Sequence, residues 1–276
     1  MKRLRRGLHR AWEWLRVQAL FEHGRELELM HRAMGFATLA LVTLAPLLIV
    51  VAAADPLARG GFASWLTDGM GLSGRSAHVL TDVISPPRKV IGATSVWGGV
   101  LLAVFGVAFG GSVQNAYERI WGLAAGPWHR VWRQATWLVV LTGYLYQEVA
   151  TKEALHGGQR IALSTASAVL FFWWGQRFLL GGQVHWRSLL PGALATVIGL
   201  AGLRAFSYLV FTPLIVTNAL SYGAVGTVLV VESWLIGVGF VIYGGALFGR
   251  WFTEHHWMPS HHRDEPDGPG DEEEPA

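Results

Sequence analysis

The fold is decided by the stretch Ala224–Gly249, which reads AVGTVLVVESWLIGVGFVIYGGALFG. Its 26 residues include one charged side chain, Glu232. An α-helix of that length rises about 39 Å, which is more than the ~30 Å hydrocarbon thickness of a bilayer. The stretch therefore predicts a helix that crosses a membrane.

Five runs upstream share this apolar character, and each is long enough to be a candidate spanning helix. The triplet Ala52–Ala54 resembles a signal-peptide cleavage site. The basic lead before it is too long for a secretory signal, so we expect the first run to be retained. With Ala224–Gly249, the runs predict about six transmembrane helices. They are Ala33–Ala54, which contains Pro46, Ile91–Val113, which contains Gly106 and Gly110 as a GxxxG pair, Val131–Ala150, Ile161–Leu180 and Leu189–Phe211.

The composition agrees with a membrane protein rather than a soluble domain. Of 276 residues, 52% are hydrophobic and 15% are charged, whereas soluble domains carry about 25% charged residues. The chain has no cysteine, which excludes disulfides and thiolate chemistry. We predict an all-α, polytopic membrane domain of about six transmembrane helices over residues 31–258.

Basic residues predict how the helices are oriented. Residues 1–32 hold eight Lys and Arg, and the connections on the same side of the membrane hold seven more. The connections on the opposite side hold six, and Arg204 lies within the fifth run. Because Lys and Arg favour the cytoplasmic side, we expect both termini in the cytoplasm.

Residues 1–30 form a basic segment with apolar residues at helical spacing, among them Leu4, Leu8, Trp12 and Leu15. An amphipathic helix on the inner leaflet, with its arginines bound to anionic lipid headgroups, fits this pattern. A topology signal without surface binding fits it equally well. We expect no nucleic-acid partner, because proximity to the membrane already explains the charge.

Two further segments lie outside the runs. Residues 55–90 contain apolar groups such as Phe62 and Trp65, which predict interfacial helices rather than a folded outer domain. Residues 259–276 are acidic and rich in Pro, which predicts a disordered tail. We expect no bound metal and no cofactor, because the histidines near this tail match no defined metal site. These are His255, His256, His261 and His262.

Short motifs at the ends of the runs occur in a fixed order that resembles one family. This order is similar to that of the YihY/virulence factor BrkB family, once labelled ribonuclease BN-like, from about residue 32 to residue 252. The resemblance implies a bacterial inner-membrane protein of six helices without a secure biochemical activity. The motifs are Arg32-Ala-Met-Gly-Phe-Ala-Thr-Leu, Gln114-Asn-Ala-Tyr-Glu-Arg-Ile-Trp121, Trp186-Arg187 followed by Leu190-Pro-Gly-Ala193, and Tyr222-Gly223.

The sequence departs from this family at one point and gives no support to its nuclease label. The family often ends its sixth span with Gly-Ala-Glu, whereas this chain has Gly244-Gly-Ala246 and lacks the acidic residue. A zinc-dependent nuclease needs clustered His and Asp ligands, such as His-x-His-x-Asp-His, and the sequence has none. It also lacks a glycine-rich phosphate loop and a GxSxG motif. We expect no enzymatic activity.

Ionisable residues within the runs are the candidate functional residues, because charge is costly in lipid. Arg204 and Glu232 lie at similar depths in the last two runs, about 10 and 12 Å from their outer ends, so we predict that they form a pair. This pair is either a structural lock or a substrate-binding site. Glu148, near the outer end of the third run, is a further candidate whose side chain alternatively reaches the interface by snorkelling.

Two classes of function remain. The first is a transporter, such as an exporter or flippase of a lipid or amphiphilic solute, which needs a polar cavity beside Arg204 and Glu232. The second is a non-transporting scaffold in envelope organisation, which needs only a dry, packed bundle. Membrane lipids are the expected partners in both classes, and a homo-oligomer is compatible with either.

Overall fold

The computed structural model describes residues 28–54, 66–84, 95–124, 130–154 and 157–256, and all regular elements in these ranges are α-helices. The prediction of an all-helical chain is therefore confirmed for the described residues. Nearly all of the segment 1–30, and all of the tail 259–276, lie outside these ranges. The helices are α1 (Leu29–Ala54), α2 (Arg75–Ile84), α3 (Ser95–Ile120), α4 (Arg130–Ala154), α5 (Gly158–Leu179) and α6 (Trp186–His256).

Among the described residues, three segments are long and apolar enough to cross a membrane, namely Gly98–Ile120, Trp186–Ile215 and Val225–His255. The first part of α1 adds a shorter apolar segment, Leu29–Leu44. The predicted third and fourth spans coincide with α4 and α5, which have the length but are less apolar. The protein is thus membrane-embedded by length and composition, and a total of six crossings stays a prediction.

The longest helix, α6, is broken at Gly223, where φ is 60° and ψ is −140°. Glycine adopts this backbone conformation without a Cβ clash, so the chain can reverse direction there. We call residues 186–222 α6a and residues 224–256 α6b. The sequence predicted that the fifth span ends at Phe211, and this boundary is wrong. Pro213 does not stop the helix, which continues to Tyr222.

The two halves of α6 pack antiparallel through glycines. A Cβ on Gly249 would lie 2.7 Å from the backbone of Gly192, and one on Gly245 would lie 2.9 Å from the backbone nitrogen of Thr196. Further along, Gly237 lies against Leu203. A side chain at either of the first two glycines would force the helices apart, so these residues set the close approach.

Helix α1 packs between α3 and α6. The ring of Phe36 lies 5.0 Å from that of Phe109 on α3 and 5.9 Å from that of Tyr243 on α6b. Helices α3 and α4 approach closely where Gly106 and Gly110 face α4. The GxxxG pair thus lies at a helix contact, as small residues do in membrane bundles.

The segment 66–84 packs against α6 rather than lying apart from the bundle. Leu66, Met70 and Leu80 are fully buried and share a core cluster with Trp234 of α6b. The hydroxyl of Ser76 donates to the carbonyl oxygen of Thr212 at 2.9 Å. This part of the predicted outer connection is therefore held on α6 by apolar burial and a hydrogen bond.

Most arginines of the described residues lie at one end of the bundle, which we call the basic end. Contacts between helix ends define it: Arg250 of α6b donates to the carbonyl oxygen of Ile120 at 2.6 Å, and Thr253 donates to that of Ser188 at 3.2 Å. Arg133 of α4 lies against Gly181, just after α5. The ends of α3, α5 and α6b therefore meet the starts of α4 and α6a here.

Candidate functional site

A buried polar cluster joins α3 to α4 at the basic end. Gln114 donates through Nε2 to Oε1 of Glu118 at 2.8 Å, and its own Oε1 accepts from Nε2 of Gln134 at 3.1 Å. Arg130 donates through Nη2 to Oε2 of Glu118 and also to Oδ1 of Asn115 at 2.9 Å. We call Gln114, Glu118, Arg130 and Gln134 the Glu118 cluster.

Local structure explains how the sequence builds this cluster. Gln114 and Glu118 are four residues apart and therefore lie on one face of α3. Helix α3 ends in a Schellman motif, in which Leu123 donates to the carbonyl oxygen of Glu118 at 2.8 Å and Gly122 takes a positive φ of 65°. The reversal brings the start of α4, and with it Arg130, back to Glu118.

The two charges of the cluster differ in their access to solvent. The side chain of Glu118 is 8% exposed, whereas that of Arg130 is 26% exposed. A buried carboxylate is stable only when it is paired and hydrogen-bonded, and both oxygens of Glu118 are. Arg130 Nε is nevertheless buried, and it has no hydrogen-bond partner within the described part of the chain. In this cluster the Glu118 carboxylate is largely excluded from water, whereas the Arg130 guanidinium can be hydrated.

Glu148 links α4 to α5 nearer the other end of the bundle. Its Oε2 accepts from Ser164 at 2.8 Å and its Oε1 accepts from Ser167 at 2.9 Å. One turn away, the ring of Tyr144 stacks on Phe171 at 4.7 Å. The Glu148 carboxylate therefore has partners within the helix pair. We call Glu148, Ser164 and Ser167 the Glu148 cluster.

Arg204 and Glu232 lie in different surroundings. Arg204 is exposed and lies beside Gly71, whose added Cβ would be 3.1 Å from the Arg204 carbonyl oxygen. Glu232 is partly buried, and its Oε1 accepts from Thr38 of α1 at 3.5 Å. Within the described residues, the structure does not bring the two charged groups into contact. The glycine contacts of α6 place Arg204 opposite Ile236, one turn from Glu232.

The turn beside Arg204 also approaches the start of α5. The amide of Gly71 donates to the carbonyl oxygen of Asp68 at 2.9 Å, and the carboxylate of Asp68 lies 3.5 Å from Arg160. The 68–71 turn thus contacts both the exposed Arg204 of α6a and the first turn of α5. The depth argument assumed that the fifth helix ends soon after Arg204, and the extension of α6a removes that assumption.

An unpartnered amide lies at the contact between α5 and α6a. Gln176 is 1% exposed, and neither its Nε2 nor its Oε1 has a hydrogen-bond partner among the residues that the structure describes. The amide oxygen would lie 3.4 Å from a Cβ on Gly192. Leaving a buried amide unpaired costs free energy, which a hydrogen bond to a water molecule or another polar group would recover.

Sequence reasoning missed the Glu118 cluster. It used Gln114 and Glu118 only within a family motif and counted Arg130 only as a basic residue for orientation. The available signal was the spacing of two polar residues, four apart, at the end of an otherwise apolar helix. It did single out Glu148, without its serine partners on α5.

Fold and polar clusters together define the class of this protein. In its described residues it is all-helical, with helices long and apolar enough to span a membrane, and it has one buried and one partly buried carboxylate hydrogen-bonded between helices. No family model matches the chain, and neither a curated protein nor a solved structure matches it.

Proposed function

We propose that this chain is a bacterial inner-membrane protein of the YihY/BrkB type, with six transmembrane helices and both termini in the cytoplasm. Its proposed activity is the export or flipping of a lipid or another amphiphilic solute. Support for the orientation comes from the basic end, which gathers the arginines that favour the cytoplasmic side. The resemblance over residues 32–252 supports the family.

The observation that carries the transport proposal is the polar attachment of α4 near both of its ends. The Glu118 cluster fastens its start to α3, and the Glu148 cluster fastens its second half to α5. Arg130 and Glu148 are 18 residues apart, or about 27 Å along the helix, close to the ~30 Å hydrocarbon thickness. In the proposed orientation, one cluster lies at each membrane boundary.

Such an arrangement suits a protein that opens to one side at a time. Once a cluster opens, its carboxylate can take new partners in water or in a polar headgroup, which offsets the lost hydrogen bonds. Opening the Glu118 cluster would part α3 from α4 at the cytoplasmic side, and opening the Glu148 cluster would part α4 from α5 at the outer side. A substrate with a polar head and an apolar tail could then pass between the helices.

A non-transporting scaffold is the second candidate, and one observation favours it. The Glu118 carboxylate is buried with both oxygens hydrogen-bonded, as expected of a structural lock. A lock holds the bundle in one shape and requires no opening.

The two candidates are separated by reconstitution into vesicles that contain a fluorescent phosphatidylethanolamine, with quenching from one side as the measure of lipid movement. We expect the parent protein to move the probe faster than empty vesicles do. A hydrogen bond to a charged group contributes about 1.5–3 kcal/mol, so Glu148→Gln weakens closure of α4 on α5. The protein would then stay open at the outer side, and movement should slow roughly tenfold or more. Glu254→Gln is the matched control, since Glu254 forms an exposed pair with Arg250. A parent rate equal to that of empty vesicles, with correctly folded protein, would favour the scaffold.

A further inference from the structure

A groove runs along the outer surface of the bundle between α5 and α6a. Its volume is about 560 Å³, and its walls are almost entirely apolar. Its lining extends along α5 from Ala162 to Trp173, which are 11 residues apart, or about 17 Å; this is close to the hydrocarbon depth of one leaflet. The lining residues are Ala162, Thr165, Ala166, Val169, Leu170, Trp173 and Leu190.

Trp173 closes the groove toward the basic end and connects it to a cationic cluster. Its Nε1 donates to the carbonyl oxygen of Trp186 at 2.7 Å, and the two rings lie 5.0 Å apart. The guanidinium carbon of Arg177 lies 4.9 Å from the centre of the Trp186 ring. Arg187 is exposed and lies one turn before Leu190 on the same face of α6a.

The two helices that form this groove, α5 and α6a, carry charge of one sign. Residues 154–231 contain no Asp or Glu, although they include Arg160, Arg177, Arg187 and Arg204. No acidic side chain from α5 or α6a can therefore neutralise Arg177 and Arg187. Arginine beside tryptophan at a membrane boundary is well suited to bind a phosphate while the ring remains at headgroup level.

We infer that the groove binds an anionic phospholipid of the cytoplasmic leaflet. One acyl chain lies along α5 from Trp173 toward Ala162, and the phosphate contacts Arg187 and Arg177. The inference rests on the proposed orientation, which places the basic end at the cytoplasmic side. It does not require transport, because a bound lipid can equally stabilise a static bundle.

The absence of cysteine from the chain provides a direct test in the full-length protein. A single Thr165→Cys substitution places a fluorophore in the groove, and Ala108→Cys places one on the exposed face of α3 as a control. Quenching is measured in vesicles that contain brominated phosphatidylglycerol or brominated phosphatidylcholine. We expect the label at residue 165 to be quenched preferentially by phosphatidylglycerol, and the label at residue 108 to be quenched equally by both lipids.

Substitutions then separate a site from general attraction of anionic lipid. Each of Arg177→Gln and Arg187→Gln should lower the preference about fivefold, whereas Arg119→Gln, an exposed arginine at the same end of the bundle, should leave it unchanged. Filling the groove with Ala166→Leu should remove the preference with all arginines in place.

Three results would overturn the lipid site. The first is equal quenching by both lipids at residue 165. The second is a loss of preference in Arg119→Gln as large as in Arg177→Gln or Arg187→Gln. The third is a label at residue 165 that neither lipid quenches, together with disulfide cross-linking of Thr165→Cys between two chains. The last result would assign the groove to a second copy of this protein. If phosphatidylglycerol is preferred at residue 165 but the protein does not move the fluorescent lipid, the lipid site is retained and transport is rejected. If the protein moves the fluorescent lipid but shows no such preference, transport is retained and the lipid site is rejected.

Discussion

At the scale of residues, the environments of Glu118 and Arg130 differ enough to make their substitutions unequal. Glu118 is nearly dry, while about a quarter of the Arg130 side chain reaches the surface. Removing Arg130 strands a buried carboxylate, whereas removing Glu118 leaves a cation that can hydrate. The energetic consequence of losing a partner is set by the charge left behind.

We therefore predict that Arg130→Ala lowers the free energy of unfolding by roughly 3–5 kcal/mol and Glu118→Ala by about 1–3 kcal/mol. Denaturation in mixed micelles measures both. The double variant Glu118→Gln/Arg130→Met should recover much of the loss, because it leaves no buried charge. Glu254→Gln, in an exposed pair, should cost at most about 1 kcal/mol. Equal losses for the two single alanine variants would contradict this account of the cluster.

For Arg204 we expect a small loss of stability on substitution, in contrast to Arg130. Since its side chain is exposed and lies beside the 70–74 turn, Arg204→Gln should cost less than about 1 kcal/mol. Glu232→Gln should be similarly mild, because an amide oxygen can still accept from Thr38. Denaturation curves of the two single variants and the double variant provide the measurement. A coupling energy above about 1 kcal/mol would restore the pair predicted from the sequence.

At the scale of elements, apolar runs locate helices well and locate their ends poorly. Each of the six predicted runs overlaps a helix, because a run of apolar residues is itself the property that favours a helix in lipid. The end of the fifth run was placed at Phe211, where polar residues and Pro213 follow. Packing of the 66–84 segment against α6a supports the helix beyond that point, and this contact is not visible in local sequence.

The close approach of α6a and α6b permits a comparison of adjacent glycines. A Cβ on Gly245 would lie 2.9 Å from the backbone nitrogen of Thr196, whereas one on Gly244 would meet nothing within 4 Å. We predict that Gly245→Ala lowers the free energy of unfolding by about 1–3 kcal/mol. Gly244→Ala should be neutral or raise it by up to about 1 kcal/mol, since alanine restricts the unfolded chain. Equal effects in denaturation experiments would show that the helices are not tightly packed here.

At the scale of the whole molecule, the sequence predicts the membrane class but not the polar architecture. Composition and run length are sufficient for the class, since they reflect the solvent. The Glu148 cluster depends on which faces of α4 and α5 meet, which a single sequence does not encode locally. The polar residues that form this cluster also make α4 and α5 less apolar than the other long helices.

The tip of the α4–α5 pair therefore decides between six crossings and four. The described residues before α4 and after α5 lie at the same end whether or not this pair crosses, so Ala124 and Gln183 cannot discriminate. Gln159, exposed in the first turn of α5, can. In the cysteine-free chain, we predict that Gln159→Cys, Ser73→Cys and Tyr222→Cys react with an impermeant maleimide added to spheroplasts.

The reference positions in this experiment are Ala124→Cys and Gln183→Cys, which should react only after the membrane is permeabilised. The reason is electrostatic. The basic end has seven arginines near helix ends and is therefore retained in the cytoplasm, whereas the only Lys and Arg residues at the tip of the α4–α5 pair are Lys152 and Arg160. If Gln159→Cys is protected until permeabilisation while Ser73→Cys reacts from outside, α4 and α5 form a re-entrant pair. The Glu118 and Glu148 clusters would then lie on a hairpin that enters from the cytoplasm, and opening to the two sides in turn would be excluded.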